Sequence, residues 1–275
     1  MSSEAVDDDA FHRLAALLAG RRLAVLTGAG VSTDSGIPDY RSPGRAPPTP
    51  IQHQQFVESA AWRQRYWARS VAGFERFRGS RPNAAHAALA RMEHDGRLTG
   101  LITQNVDRLH HAAGSRAVVE LHGALAEVRC LGCAALTSRE DLQRRLLALN
   151  TSHPMRGALR PDGDLELAPE HVEGFRVAAC EACGGVLMPN VVFFGGTVPR
   201  PVVEAAMAHV DAADALLVLG TSLAVYSGLR FVRRAKDRGI PVAIVTRGPT
   251  RGDGEATLKL EAPLGAVLPW LARGT

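Results

Sequence analysis

The sequence predicts an α/β protein, a doubly wound parallel sheet carrying a smaller zinc-binding and helical domain. Three observations predict it. Short apolar runs alternate with helical patterns along most of the chain, as strand–helix–strand units require. The first run, Leu23–Thr27, feeds directly into Gly28-Ala29-Gly30, the opening of a nucleotide-binding α/β unit. Two C-x-x-C pairs, Cys130/Cys133 and Cys180/Cys183, fall in a stretch where the alternation stops.

Taken in order, Asp8 or Asp9 can cap a first helix whose apolar face is Phe11, Leu14, Leu17 and Leu18, with Gly20 as its stop. Apolar runs at 98–103, 117–121, 215–220 and 241–246 fit strands buried on both faces. Helical patterns at about 83–95, 106–113, 200–211 and 228–238 separate them, and a short strand near 257–261 precedes a last helix ending about 272. The large domain is expected from 1–41, 81–123 and 189–275. Two insertions are expected to build the small domain: 42–80, Pro-rich and then helical, and 124–188, which holds the cysteines.

Composition narrows the class. The chain has 275 residues, 46% of them apolar and 22% charged, with a net charge of +4, so a sizeable core is available. The excess arginines are dispersed and no run is dense enough to argue for nucleic acid. The N-terminal MSSEAVDDDAFHRL lacks the basic and apolar regions of a secretory signal and is acidic where a mitochondrial transit peptide is not. No apolar stretch reaches the length of a membrane span. A cytoplasmic monomer that does not contact membrane or nucleic acid is expected.

The chemistry-bearing runs lie at strand ends, where open α/β sheets bind ligands. Gly28-Ala29-Gly30 would let the backbone approach a pyrophosphate, with a following helix N-terminus offering its N–H groups. The spacing is not that of an ordinary dinucleotide fingerprint: five residues, not two, precede the next glycine, and Pro47-Pro48 stand where an acid would bind ribose. That disfavours a hydride-transfer dehydrogenase. Gln104, Asn105 and Asp107 follow a second strand and could bond ribose hydroxyls or a carboxamide, or simply cap a helix. His122, after a third strand and before Gly123, is a candidate base, since an imidazole titrates near neutrality. Gly220-Thr221-Ser222 offers small polar groups after a fourth. The run from Pro189 to Gly196 is either a core strand or an edge for an extended peptide. Four thiolates leave no open coordination position, so zinc held by Cys130, Cys133, Cys180 and Cys183 would be structural.

Together GAGVSTDSGIPDYRS, TQNVDRLH, LHG, both C-x-x-C pairs, PNVVFFGG and GTSLAVYSG occur in the order and register of the sirtuins. The chain resembles that family over about residues 20–270, and within it the class II, SIRT-four-type branch, through PIQHQQFVESAAWRQRYWARS, PNAAHAAL, RPDGD and GPTRGD. The resemblance implies a Rossmann-like domain with NAD and an acyl-lysine peptide meeting in a cleft, and an NAD-dependent protein-lysine deacylase. In that mechanism the acyl oxygen displaces nicotinamide, His122 takes a ribose proton, and lysine and O-acyl-ADP-ribose are released. Asn105 is the second catalytic residue. The cofactor contacts it implies are Gly28, Ala29, Gly30, Ser32, Ser35, Gly36, Ile37, Pro38, Asp39, Tyr40, Arg41, Gln104, Asn105, Val106 and Asp107. Gly220, Thr221, Ser222, Thr246, Arg247, Gly248 and Leu264 complete them. Val192, Phe193 and Gly195 would meet the substrate backbone.

The chain departs from the family at three places. Thr246-Arg247-Gly248 stands where an Asn is common, Asn190 and Gly196 stand where Asp and Glu are common, and Leu264 can offer only its backbone. Tyr66 and Arg69 form the Tyr-x-x-Arg spacing with which the family's desuccinylases hold an acidic acyl chain, so Arg69 is expected to pair a distal carboxylate or else to be a surface residue. Two other functions use the same parts: protein mono-ADP-ribosyl transfer, and non-catalytic binding of NAD or ADP-ribose.

Overall fold

The computed structural model describes residues 8–39, 50–152, 164, 167 and 172–274. Its larger sheet is built from β1 (Leu23–Thr27), β2 (Leu98–Thr103), β3 (Val118–Glu120), β7 (Ala215–Leu219), β8 (Val242–Val245) and β9 (Leu258–Leu260). The strand order is β3-β2-β1-β7-β8-β9 and every pairing is parallel. From β1 the chain winds outward to β2 and β3, then returns to β7 on the opposite side. The order therefore reverses between β1 and β7, and that crevice is where ligands bind in such sheets.

Why the sheet is covered on both faces is visible in β1. Leu23 and Val25 point into one apolar cluster and Ala24 and Leu26 into another, as the two-residue period of a strand requires. Helices α1 (Asp8–Leu18), α4 (Ala84–His94) and α9 (Leu264–Ala272) cover the first face with Leu14, Leu89 and Leu268. Helices α7 (Arg200–Asp211) and α8 (Tyr226–Asp237) cover the second with Val210 and Phe231.

The smaller lobe comprises α2 (His53–Glu58), α3 (Ala60–Arg78), α6 (Arg139–Leu149) and a three-stranded antiparallel sheet of β4 (Gly123–Cys130), β5 (Leu136–Ser138) and β6 (Leu187–Val191), ordered β5-β4-β6. Phe56, Trp67, Val71, Val128, Leu146 and Leu187 share its core. A separate cluster of Ile37, Phe77, Leu109 and Leu125 joins this lobe to the strand-end loops of the larger sheet.

Two local expectations fail. The helix read at 106–113 contracts to α5 (Leu109–Ala112), because Arg108 adopts the left-handed conformation, φ 59°, and no helix can run through it. The helix expected after Gly30 is absent as well. Two short 3₁₀ turns, Ala29–Val31 and Thr33–Ser35, stand in its place, and Gly36 ends them at φ 83°.

The glycine turn is narrow first because of its neighbour. The Gly30 N–H donates to the Gly220 carbonyl at 2.9 Å. A methyl group on Gly30 would lie 2.8 Å from the Gly220 Cα and 2.9 Å from its carbonyl oxygen, both backbone atoms. Gly30→Ala is therefore expected to cost about 1–3 kcal/mol of stability, measured as a lowered melting temperature. An unchanged melting temperature would show that the two loops can part without cost.

Candidate active site

The runs singled out in the sequence converge at the carboxyl ends of the parallel strands. Gly28 and Gly30 follow β1, Gln104 to Asp107 follow β2, His122 follows β3, Gly220 to Ser222 follow β7 and Thr246 to Gly248 follow β8. Hydrogen bonds tie the first four into one assembly. The Gln104 N–H donates to the Thr27 carbonyl at 2.9 Å, and its side-chain oxygen accepts from Thr221 Oγ1 at 2.7 Å. The Asn105 amide donates to the Gly28 carbonyl at 3.2 Å and to Ser32 Oγ at 3.1 Å, and Ser32 Oγ donates to Asp107 at 2.6 Å. The other Asp107 oxygen accepts from the Leu109 N–H at 2.9 Å, so this carboxylate does cap a helix while also holding the glycine loop.

His122 is half-buried, with Nδ1 3.0 Å from the Gln104 carbonyl oxygen and Nε2 2.9 Å from Ser227 Oγ. A carbonyl only accepts, so Nδ1 carries the proton and Nε2 presents its lone pair to the Ser227 hydroxyl. Burial holds the imidazole below its usual pKa, against an opposing pull from the Gln104 carbonyl. The ring is therefore neutral at neutral pH, with the basic nitrogen turned toward the α8 end of the crevice.

Behind this layer lie residues that the sequence reading passed over. His110 Nε2 is 3.0 Å from Thr27 Oγ1, and Thr27 Oγ1 donates to Thr103 Oγ1 at 2.9 Å. Its ring lies 4.8 Å from that of His86, tilted by 55°, and both imidazoles are fully buried. Burial lowers the pKa of each, that of His110 to about 3. Asn83 caps α4 through Ala85 at 2.9 Å and also donates to the Val31 carbonyl at 2.8 Å and Ser35 Oγ at 3.0 Å. An Asn after proline at a helix start is a readable capping signal; its second use, on the glycine loop, is not local in sequence.

The remaining candidates sort as follows. Ile37 is buried in the joining cluster and Leu264 in the main core, so Leu264 offers only backbone. Thr246 is buried with its N–H on the Leu260 carbonyl at 3.1 Å, while Arg247 is exposed and the Gly248 N–H donates to Glu261 at 3.2 Å. Tyr40 and Arg41, and most of the RPDGD run, lie outside the described residues. The Val192 N–H donates to the His122 carbonyl at 2.9 Å, and Phe193 packs its ring on Phe56 and Tyr66 at 5.2 and 5.4 Å. Gln52 bridges to Phe194, whose ring is exposed, and Gly195 turns the chain there at φ 76°. Arg69 is 5% exposed, so the surface reading of this arginine is overturned. It lies on the α3 face that packs into the small lobe, one turn beyond the buried Tyr66.

The four cysteine sulfurs lie within 4.8 Å of one another, with Cys130–Cys183 at 3.5 Å and Cys133–Cys180 at 3.8 Å. Tetrahedral zinc–thiolate geometry has sulfur–sulfur edges of about 3.8 Å. Two matching knuckles present them. Each first cysteine accepts at its carbonyl from the residue four on, Ala134 at 3.0 Å and Gly184 at 2.9 Å, and each of those residues has positive φ, 60° and 70°. The Gly132 and Cys133 N–H groups donate to the Cys130 sulfur at 3.3 and 3.5 Å, which favours its thiolate, the form that zinc binds. The residues fit a closed structural zinc.

A switch-point sheet with a glycine turn, a neutral histidine at a neighbouring strand end and a closed four-thiolate centre define a zinc-containing, dinucleotide-using α/β enzyme. Residues 28–227 match the Sir2 family. A curated relative from Mycobacterium avium (strain 104), "NAD-dependent protein deacetylase 1", is 51% identical over 94% of this chain and 93% of its own length. "NAD-dependent protein deacylase Sirt4" of Drosophila melanogaster is 48% identical over 97% of this chain and 87% of its own. Among solved structures, one titled "Sir2-p53 peptide-NAD+" superposes with a TM-score of 0.74 at 30% identity, covering 95% of each chain. The chain belongs to the Sir2 family, the sirtuins.

Zinc removal is expected to loosen the small lobe, because Cys130 and Cys180, two of the four sulfurs that would hold the ion, are also core residues of that lobe. The loss is on the order of 10 kcal/mol of binding energy that otherwise adds to folding. Purified protein should hold one zinc per chain, and chelation should lower its melting temperature sharply. A metal-free chain that melts unchanged would discard the structural role.

Proposed function

We infer that this sirtuin is an NAD-dependent protein-lysine deacylase, transferring the acyl group of a modified lysine to ADP-ribose with release of nicotinamide. The observation that carries the reading is the pair of contacts on His122. The Gln104 carbonyl fixes the protonated nitrogen, and the other nitrogen is left as an acceptor at the crevice. Bound NAD supplies an activated carbon at its nicotinamide ribose, to which the acyl oxygen adds as nicotinamide leaves. The residues supply the rest. The Gly28–Gly36 turn and Gly220 to Ser222 hold the phosphates and ribose with small groups and backbone N–H donors. Asn105 and Asp107 orient the reacting ribose, each already tethered through Ser32. His122 Nε2 accepts the ribose hydroxyl proton once that hydroxyl takes the place of Ser227. Val192, Phe193 and Gly195 pair with the substrate backbone by strand addition. Residues 50–80, 124–152 and 172–188 supply the smaller lobe on the other side of the crevice from the dinucleotide turn.

Relatives support this assignment, being named for deacetylase or deacylase activity at about half identity. One solved neighbour is described with a deacetylated p53 peptide and 3'-O-acetyl ADP ribose. Among the described residues no helix is long and apolar enough to cross a membrane. A cytoplasmic address is part of the proposal, supported by four cysteines gathered for metal rather than paired as disulfides.

His122→Ala is expected to retain binding of ADP-ribose while deacylation, followed by mass spectrometry of free lysine and O-acyl-ADP-ribose, falls by about 100- to 10,000-fold. Because burial depresses the His122 pKa, the base form is present above that value and lost as pH falls through it. The acid limb of kcat/KM should therefore lie below the ordinary imidazole range. Full turnover in His122→Ala, or an acid limb above that range, would remove His122 as the base.

The acyl pocket is proposed to accept carboxylated chains, with Arg69 pairing the distal carboxylate. Tyr66 supports this, since its ring touches Phe193 of the proposed substrate strand. Arg69→Met is expected to lower kcat/KM for succinyl- and glutaryl-lysine peptides by about 10- to 100-fold while sparing acetyl-lysine. The same acyl preference in variant and wild type would discard the idea.

A further inference from the structure

Arg108 holds the left-handed backbone conformation at φ 59°, one of three non-glycine residues with positive φ among those described. Such a conformation persists in a side-chain-bearing residue when its surroundings over-determine it. Here the guanidinium does so. Its Nε and Nη2 donate to the two Glu120 oxygens at 3.3 Å each, and Nη2 also donates to Glu127 at 2.5 Å. The second Glu127 oxygen accepts from the Asn190 amide at 2.9 Å. The Asn190 amide and the Arg108 guanidinium together hold the Glu127 carboxyl below its usual range.

These four residues come from four places that the reaction must keep in register. Arg108 follows Asp107 in the cofactor loop, Glu120 lies two residues before His122, Glu127 stands on β4 of the zinc lobe, and Asn190 begins the run leading to Val192 and Phe193. Glu127 also lines both cavities at this boundary, one of about 600 Å³ beside Val106 and Asp107, the other of about 260 Å³ beside Val191 and Val192. The network also accounts for Asn190 standing where Asp is common. An amide donates to Glu127, whereas an Asp there would set two carboxylates against each other.

We propose that Arg108 is a positioning residue: its fork across Glu120 and Glu127 fixes the zinc lobe and the proposed substrate strand against the cofactor loop, and so sets the grip on the acyl-lysine peptide. This rests on reading Val192 to Gly195 as the peptide-binding edge. The hydrogen bonds that tie the proposed dinucleotide loops together run among Gly28, Ser32, Gln104, Asn105, Asp107 and Thr221 and do not use the fork.

Arg108→Gly is the informative variant, since glycine takes φ 59° without strain and removes only the fork. In the zinc-loaded protein, calorimetry should show an acetyl-lysine peptide binding about tenfold more weakly in the presence of ADP-ribose. ADP-ribose affinity, zinc content and melting temperature should be unchanged, and the kinetic loss should appear in peptide KM rather than kcat. Asn190→Asp should weaken the peptide likewise, and the double variant E127Q/N190D, which exchanges amide and carboxylate, should recover it. Peptide binding unaltered in Arg108→Gly, a matching loss of ADP-ribose affinity, or no recovery in the double variant would each overturn the proposal. Because the readout is binding, a chain that binds peptide normally but turns nothing over would count against the deacylase reading and leave this result standing.

Discussion

A carbonyl oxygen can accept a hydrogen bond but cannot donate one, and that asymmetry organises the active site. The Gln104 carbonyl fixes which nitrogen of His122 bears the proton. Gln104 is itself fixed three ways: its N–H on β1, its side chain on Thr221 after β7, and its amide packed where a Cβ on Gly228 would intrude at 2.6 Å. The proposed base is thus oriented by the backbone at the β2 end, which is itself held by the Thr27 carbonyl of β1 and the Thr221 side chain after β7. Only a parallel sheet whose order reverses between β1 and β7 brings those ends together.

Much of this was legible because strand ends and strand periods are local properties. Leu23–Thr27 and Leu98–Thr103 are buried runs of the expected length, and the residues just beyond each one point to the crevice in any doubly wound sheet. The cysteine spacing was legible for the same reason, since a knuckle is a short-range backbone motif. What was hidden depends on contacts between distant segments. Gly28 and Gly30 read as room for a phosphate, yet their first constraint is the backbone of Gly220 and Thr221, nearly two hundred residues away. The missing helix after Gly30 follows from the same contact, because a turn pinned to Gly220 cannot wind regularly. Arg108 read as an ordinary helical residue; the carboxylates that hold it left-handed come from β3 and β4.

Arg69 is the opposite case. On sequence, pairing with a distal carboxylate and a surface arginine on an Arg-rich stretch stand as equal alternatives, and burial removes the second. Burial is decided by packing from several sides: every residue from Tyr66 to Phe74 is buried, so this stretch of α3 is enclosed all round and Arg69 is enclosed with it. A guanidinium brought into such a lobe requires polar partners, as the neighbouring buried Arg139 finds in Gln143 and Ser70.

The chain carries several imidazoles near the crevice, and their surroundings leave one of them fit to be a base. His86 and His110 share with His122 the burial that lowers their pKa, and so all three are neutral at neutral pH. Neutrality alone is not basicity in the useful sense, because a base also needs its lone pair where a substrate proton can arrive. The His110 Nε2 is engaged with Thr27 beneath the glycine turn, and His86 Nδ1 accepts from the Asn83 N–H at the start of α4. Both rings are sealed behind the layer that would hold the dinucleotide. His122 Nε2 instead meets a serine hydroxyl, a group that can rotate and exchange for another hydroxyl at little cost. Desolvation keeps all three rings neutral, and what suits His122 to the proposed role of proton acceptor is its exchangeable partner.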